Sequence, residues 1–103
     1  MKIKDCFKYI ISILSPTING PERIGIGFFV QTDDDRLFLI TAAHVARETN
    51  VKSRIVMNDL NTGLPVLLDL HNLKKNFNWS YHPFADIAAV EIDGDSDKKE
   101  LMQ

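Results

Sequence analysis

Apolar and polar residues alternate at period two along much of this chain, the spacing that sets one side of an extended strand against a core. The alternation is clearest over 23–32, where Ile24, Ile26, Phe28 and Val30 occupy every second position. It predicts a strand buried on that face. Gly25 and Gly27 then lie on the opposite face, where a missing side chain lets the sheet bend or another backbone come close. Shorter runs rich in branched and aromatic residues occupy 7–14, 37–40, 54–57, 65–70 and 87–92, and each predicts a further strand.

The punctuation between these runs fits short connections. Ser15-Pro16 followed by Asn19-Gly20-Pro21 predicts a turn-rich loop after the first strand, and Asn61-Thr62-Gly63 a turn between the fourth and fifth. Thr32-Asp33-Asp34-Asp35 predicts a hairpin tip, because an aspartate carboxylate bonds the backbone just ahead of it. Residues 45–48, after His44, predict a single helical turn. No interval is long enough for a helical crossover, so the expected fold is all-β, a six-stranded antiparallel β-barrel. It spans 1–92 as one domain. Residues 93–103 are charged and aperiodic, and predict a tail or the start of an interdomain linker.

Composition narrows the classes. A chain of 103 residues with 45% hydrophobic content can bury roughly two thirds of its unfolded surface around one core, and a second core is out of reach. Its 12 basic and 14 acidic residues are scattered, which leaves no stripe to neutralise a phosphate backbone, so nucleic acid is not an expected partner. The lack of a basic aromatic face argues equally against a small oligonucleotide-binding barrel. Cys6 is the single cysteine, so no internal disulfide forms, and a reducing, cytoplasmic setting is expected. The start Met1-Lys2-Ile3-Lys4 has the charge order of a signal peptide, but Lys8 interrupts the apolar stretch and no small-residue cleavage site follows. No run approaches the roughly 18 apolar residues of a membrane span, and no membrane partner is expected.

Two segments carry candidate chemistry. Thr41-Ala42-Ala43-His44-Val45 puts a histidine on a small-residue turn after an apolar strand; Ala85-Asp86-Ile87-Ala88-Ala89-Val90 puts an aspartate at the opening of the last strand. A neutral imidazole accepts a proton from a nucleophile only if its other nitrogen is held in the right tautomer, and a buried carboxylate does this while stabilising the imidazolium that forms. His44 and Asp86 suit those roles. Ala42, Ala43, Ala85, Ala88 and Ala89 leave room for the ring.

Other residues have structural explanations. Gly94-Asp95-Ser96-Asp97 looks like the start of a nucleophile loop, yet the last strand carries the chain away from Asp86 by about 3.3 Å per residue. Lys98 follows where a glycine would frame an oxyanion hole, so a polar linker accounts for Ser96. Asp33-Asp34-Asp35 lacks the alternation of a calcium loop, and His71 and His82 lack zinc-ligand spacing, so neither metal nor cofactor is expected. Phe77, Trp79, Tyr81 and Phe84 are expected to cover one end of the barrel, Lys74-Lys75 to form a solvated loop, and Cys6 to be packed or idle.

In the order of its elements the chain resembles the trypsin-like serine peptidases, and in particular the first of the two six-stranded barrels of the chymotrypsin fold. The matching residues are Gly25-Ile26-Gly27-Phe28-Phe29-Val30, Leu39-Ile40-Thr41-Ala42-Ala43-His44-Val45 and Asp86-Ile87-Ala88-Ala89-Val90, within a likeness that covers roughly 7–92. The resemblance implies His44 as general base and Asp86 as its orienting carboxylate. Val45 stands where secreted animal members carry a cysteine, and no Ile-Val-Gly-Gly start is present, so the likeness is to the disulfide-free bacterial members. The family's second barrel, with its Gly-Asp-Ser-Gly nucleophile loop and specificity pocket, has no counterpart here. The expected function is therefore the N-terminal half of a serine endopeptidase, inactive alone, with the missing C-terminal barrel and a peptide or protein substrate as partners. A cysteine nucleophile in the missing half is equally compatible. The alternative is a non-catalytic binding or regulatory module that self-associates through the face a second barrel would cover.

Overall fold

The computed structural model describes residues 3–6, 11–58 and 62–92 and is all-β and antiparallel. The strands are β1 (Ile3–Cys6), β2 (Ile11–Thr17), β3 (Gly20–Thr32), β4 (Leu37–Thr41), β5 (Arg54–Asn58), β6 (Pro65–Asp69), β7 (Ser80–Tyr81) and β8 (Ala88–Ile92). Among the described residues, helix is confined to α1 (Ala43–Ala46) and a 3-10 turn (Leu70–Asn72). Seven strands run edge to edge in the order β6-β5-β2-β3-β4-β8-β7, and β1 pairs with the far end of β3.

This sheet is open, which corrects the expected closed six-stranded barrel. Closure needs the β6 edge to meet the β7 and β8 edge, and no described pairing joins them. The chain between those edges is not extended. It forms the 3-10 turn and then passes through Asn76 at φ 55°, so it presents no row of ladder groups. The same stretch feeds the core with side chains: Leu70 and Leu73 are fully buried, Trp79 is 8% exposed, and Phe77 packs against the same cluster. Tyr81 and Phe84, expected to share that covering role, are exposed. The predicted tail, 93–103 with Ser96, lies outside the described residues, as do 7–10 of the first predicted strand.

The expected period holds in β3, and Ile24 and Val30 pack inward as predicted, but over 25–28 the phase is reversed. Antiparallel pairing places Ile11 opposite Gly27 and Ile13 opposite Gly25, and directly opposed residues share a face. Ile11 and Ile13 are fully buried, so the glycines point inward, while Ile26 (49% exposed) and Phe28 (39%) point outward. A bulge in the β2–β3 pairing at Ile24 sets this phase. The inward glycine is required at Gly27, where a Cβ would lie 2.8 Å from the carbonyl oxygen of Ile40. Beyond it Phe29, paired with Leu39, enters the core, and Val30 and Thr32 are buried as well.

The first connection is tighter than predicted. Ser15 and Pro16 belong to β2, and only Ile18 and Asn19 separate it from β3. Gly20 takes φ 102°, a backbone state that glycine adopts at little cost, and the Thr17 hydroxyl donates to the Gly20 carbonyl at 2.6 Å. The aspartate hairpin forms as expected: Asp35 turns at φ 61°, and its N–H reaches the Thr32 carbonyl at 3.1 Å. The core gathers Ile11, Ile13, Phe29, Leu37, Leu39, Ile55, Leu70, Leu73 and Ile92, all fully buried and each worth about 1.5–3 kcal/mol relative to exposure.

Candidate functional site

The β4–β8 ladder brings the two candidate residues together. Its register runs from Leu37 opposite Ile92 to Thr41 opposite Ala88, so β4 ends where β8 begins. The chain leaving β4 reaches His44 three residues past that point, and the chain entering β8 passes Asp86 two residues before it. Both side chains therefore stand at one end of one strand pair, however long the excursion between them.

Local packing fixes the histidine. Thr41 donates its hydroxyl to the Ile26 carbonyl at 2.7 Å, tying the end of β4 to β3. The helical turn starts two residues earlier than predicted and includes His44. Ala43, Val45 and Ala46 face the core, and this leaves His44 on the outer side of α1 with its side chain 70% exposed. Val45 seats against Gly25 so closely that a Cβ there would lie 2.5 and 2.6 Å from its two γ-carbons. Gly25 is thus what lets α1 approach β3.

Asp86 holds His44 twice. Its Oδ1 accepts the His44 backbone N–H at 2.9 Å, and its Oδ2 lies 2.5 Å from His44 Nδ1. The first contact supplies what α1 lacks, because Ala42 at the N-cap has no side chain able to accept a backbone donor. The second sets the tautomer. An ionised carboxylate only accepts, so Nδ1 carries the proton and Nε2 presents its lone pair outward. Hydrogen bonding from the His44 side chain, then from its backbone, holds the Asp86 carboxyl below its ordinary value of 3.8, with a smaller contribution from the charge of Arg47.

The expected burial of the carboxylate is not found: the Asp86 side chain is 53% exposed. Around the pair, Ile26, Phe28, Ile40 and Ile87 line an apolar depression of about 600 Å³. The outward phase of β3 creates this surface. Among the described residues no serine hydroxyl bonds His44; Ser15 and Ser53 are buried and bonded to each other at 2.6 Å. No group of three or more potential metal ligands occurs among the described residues. His71 stacks against Phe77 with ring centroids 4.5 Å apart, and Trp79 donates its indole N–H to the Thr49 hydroxyl at 2.9 Å, so both serve packing.

His82, weighed in the sequence only as a zinc ligand and set aside, belongs here. Its Nδ1 accepts the backbone N–H of Phe84 at 3.1 Å and of Ala85 at 2.9 Å, in the turn that carries Asp86. A histidine followed by Pro83, four positions before the aspartate, was the available signal.

No protein-family model, curated protein or solved structure matches this chain. No helix among the described residues is long and apolar enough to cross a membrane.

Proposed function

We propose that His44 and Asp86 are the general base and orienting carboxylate of a trypsin-like serine endopeptidase, carried on its N-terminal, antiparallel β domain. The double contact of Asp86 with the Nδ1 and backbone N–H of His44 carries this reading. With Nδ1–H donated to the carboxylate, Nε2 is free to take the proton of a serine hydroxyl as it attacks the scissile carbonyl. The imidazolium formed is stabilised by Asp86, then gives that proton to the leaving amine. The nucleophile and oxyanion hole belong to a second domain, which would cover Ile26, Phe28 and Ile87 and exclude water from the carboxylate. Base and carboxylate without these groups leave little catalysis, so the 103-residue chain alone does not cleave its peptide or protein substrates.

A fluorophosphonate probe tests the proposal on the gene product as its source cells make it. The expected result is label on a serine outside residues 1–103, lost in His44→Ala, with the isolated chain unlabelled; label captured only by iodoacetamide assigns a cysteine in the same role. Labelling that is indifferent to both His44→Ala and Asp86→Ala would refute the proposal. The exposed Ile26, Phe28 and Ile87 favour a second reading, a non-catalytic module that self-associates through this face. Sedimentation decides it: a monomer at high concentration rules that reading out.

A further inference from the structure

The turn that delivers Asp86 has no regular secondary structure to hold it, and its backbone donors converge on one side chain. Pro83 has no N–H, so the first two donors after His82 are those of Phe84 and Ala85, and both point at His82 Nδ1. This is the pattern by which an asparagine or serine side chain caps a turn by accepting backbone N–H groups two and three residues on. The backbone completes the enclosure: His82 N–H bonds the Ile87 carbonyl at 2.9 Å and Ile87 N–H the Ala85 carbonyl at 2.8 Å. Asp86 sits inside that closed turn, immediately after the second captured amide. Two acceptances by one nitrogen require Nδ1 without a proton, so Nε2 carries it.

From this geometry we infer that His82 is a positioning residue for the proposed base, acting through the Asp86 turn and touching neither His44 nor a substrate. The inference rests on the reading of His44 and Asp86 as base and carboxylate. Its content is that the His44 tautomer depends on a side chain outside the pair. Without the His82 acceptor, the Phe84 and Ala85 amides turn to water and the carboxylate no longer meets both His44 donors. His44 then reverts to the Nε2–H tautomer that a free imidazole prefers, and Nε2 ceases to be an acceptor.

Long-range proton–nitrogen NMR at alkaline pH reads both tautomers in the 103-residue chain. Wild type should show His44 as Nδ1–H and His82 as Nε2–H, with slowed exchange at the Phe84 and Ala85 amides. His82→Leu, which keeps bulk and removes the acceptor, should convert His44 to Nε2–H and lose that protection. His82→Asn, whose Oδ1 replaces Nδ1 as acceptor, should keep His44 as Nδ1–H. A His82→Leu chain that retains the Nδ1–H form overturns the inference, and so does a folded His82→Asn chain that loses it. Should His82→Leu fail to fold, His82→Asn alone decides on that criterion. Wild type already in the Nε2–H form would sink the base-and-carboxylate reading itself, and this inference with it.

Discussion

Replacing Gly25 with alanine should disturb His44 from beneath. The new Cβ would stand 2.5 and 2.6 Å from the γ-carbons of Val45 and 3.1 Å from its Cβ, well inside normal contact, and a β-branched side chain cannot swing clear. Overpacking of this kind costs about 1–3 kcal/mol. Alanine also restricts the unfolded chain more than glycine, which returns about 0.4–1 kcal/mol. The net expectation is a loss of up to about 2.6 kcal/mol with a midpoint of about 1.3 kcal/mol, each kcal/mol being roughly 4–8 °C of melting temperature in a domain of this size. Because Val45 is on α1, the strain is relieved by lifting that turn, so the His44 Nδ1–H signal should weaken as stability falls. Val45→Ala removes two buried methyl groups and alone costs about 1.5 kcal/mol, yet it vacates the space that the new Cβ needs. Urea unfolding of both single variants and the double should therefore show at least about 0.5 kcal/mol of favourable coupling. Additive losses, or a Gly25→Ala chain as stable as wild type with its tautomer unchanged, would refute the claim that Gly25 seats the helix.

Three further outcomes are expected. Asp86 is held below its ordinary carboxyl value, so its contact with His44 is fully present above pH 3.8 and is lost as pH falls through the lower folded value; a carbon-13 titration of Asp86 with its midpoint at or above 3.8 contradicts this. Asp86→Asn turns an amide N–H toward Nδ1 and reverses the His44 tautomer; in the complete peptidase, reactivity should drop on the order of 10⁴-fold, as in the type case of this triad. Ser53→Ala strands the buried Ser15 hydroxyl, bonded to Ser53 at 2.6 Å, and should cost about 1–3 kcal/mol by denaturant titration, with part recovered in the Ser15→Ala/Ser53→Ala double variant.

The all-β class and the meeting of His44 with Asp86 were legible because both depend on pattern next to the residues themselves. Apolar runs flank each one, and two strands that pair antiparallel bring the end of one to the start of the other. The phase of β3 was not legible. Glycine has no side chain with which to declare a face, so Ile26 and Phe28 looked like the core side, although pairing with Ile11 and Ile13 turns Gly25 and Gly27 inward. The open seam was hidden for a different reason. Closure depends on whether two distant edges meet, which no run of residues declares; Leu70 read as the end of a strand, although it opens the 3-10 turn and is buried in the core. β7 has only two residues, too short for any period. Burial of Asp86 was expected from its role, not from its neighbours, and its exposure follows from the uncovered face beside it. His82 was weighed only as a zinc ligand because its task is to catch two amides, and amides leave no mark in a sequence.

Apart from the His82 turn, the 41 residues between His44 and Asp86 exert little control over their meeting, because the ladder from Leu37 opposite Ile92 to Thr41 opposite Ala88 already brings the two ends together. The excursion through β5 and β6 can consequently lengthen, shorten or take up a foreign insert at its exposed Thr62–Gly63 bend without altering the distance between imidazole and carboxylate. A graft aimed at new recognition properties belongs on that bend, where it would leave the proton-handling pair untouched.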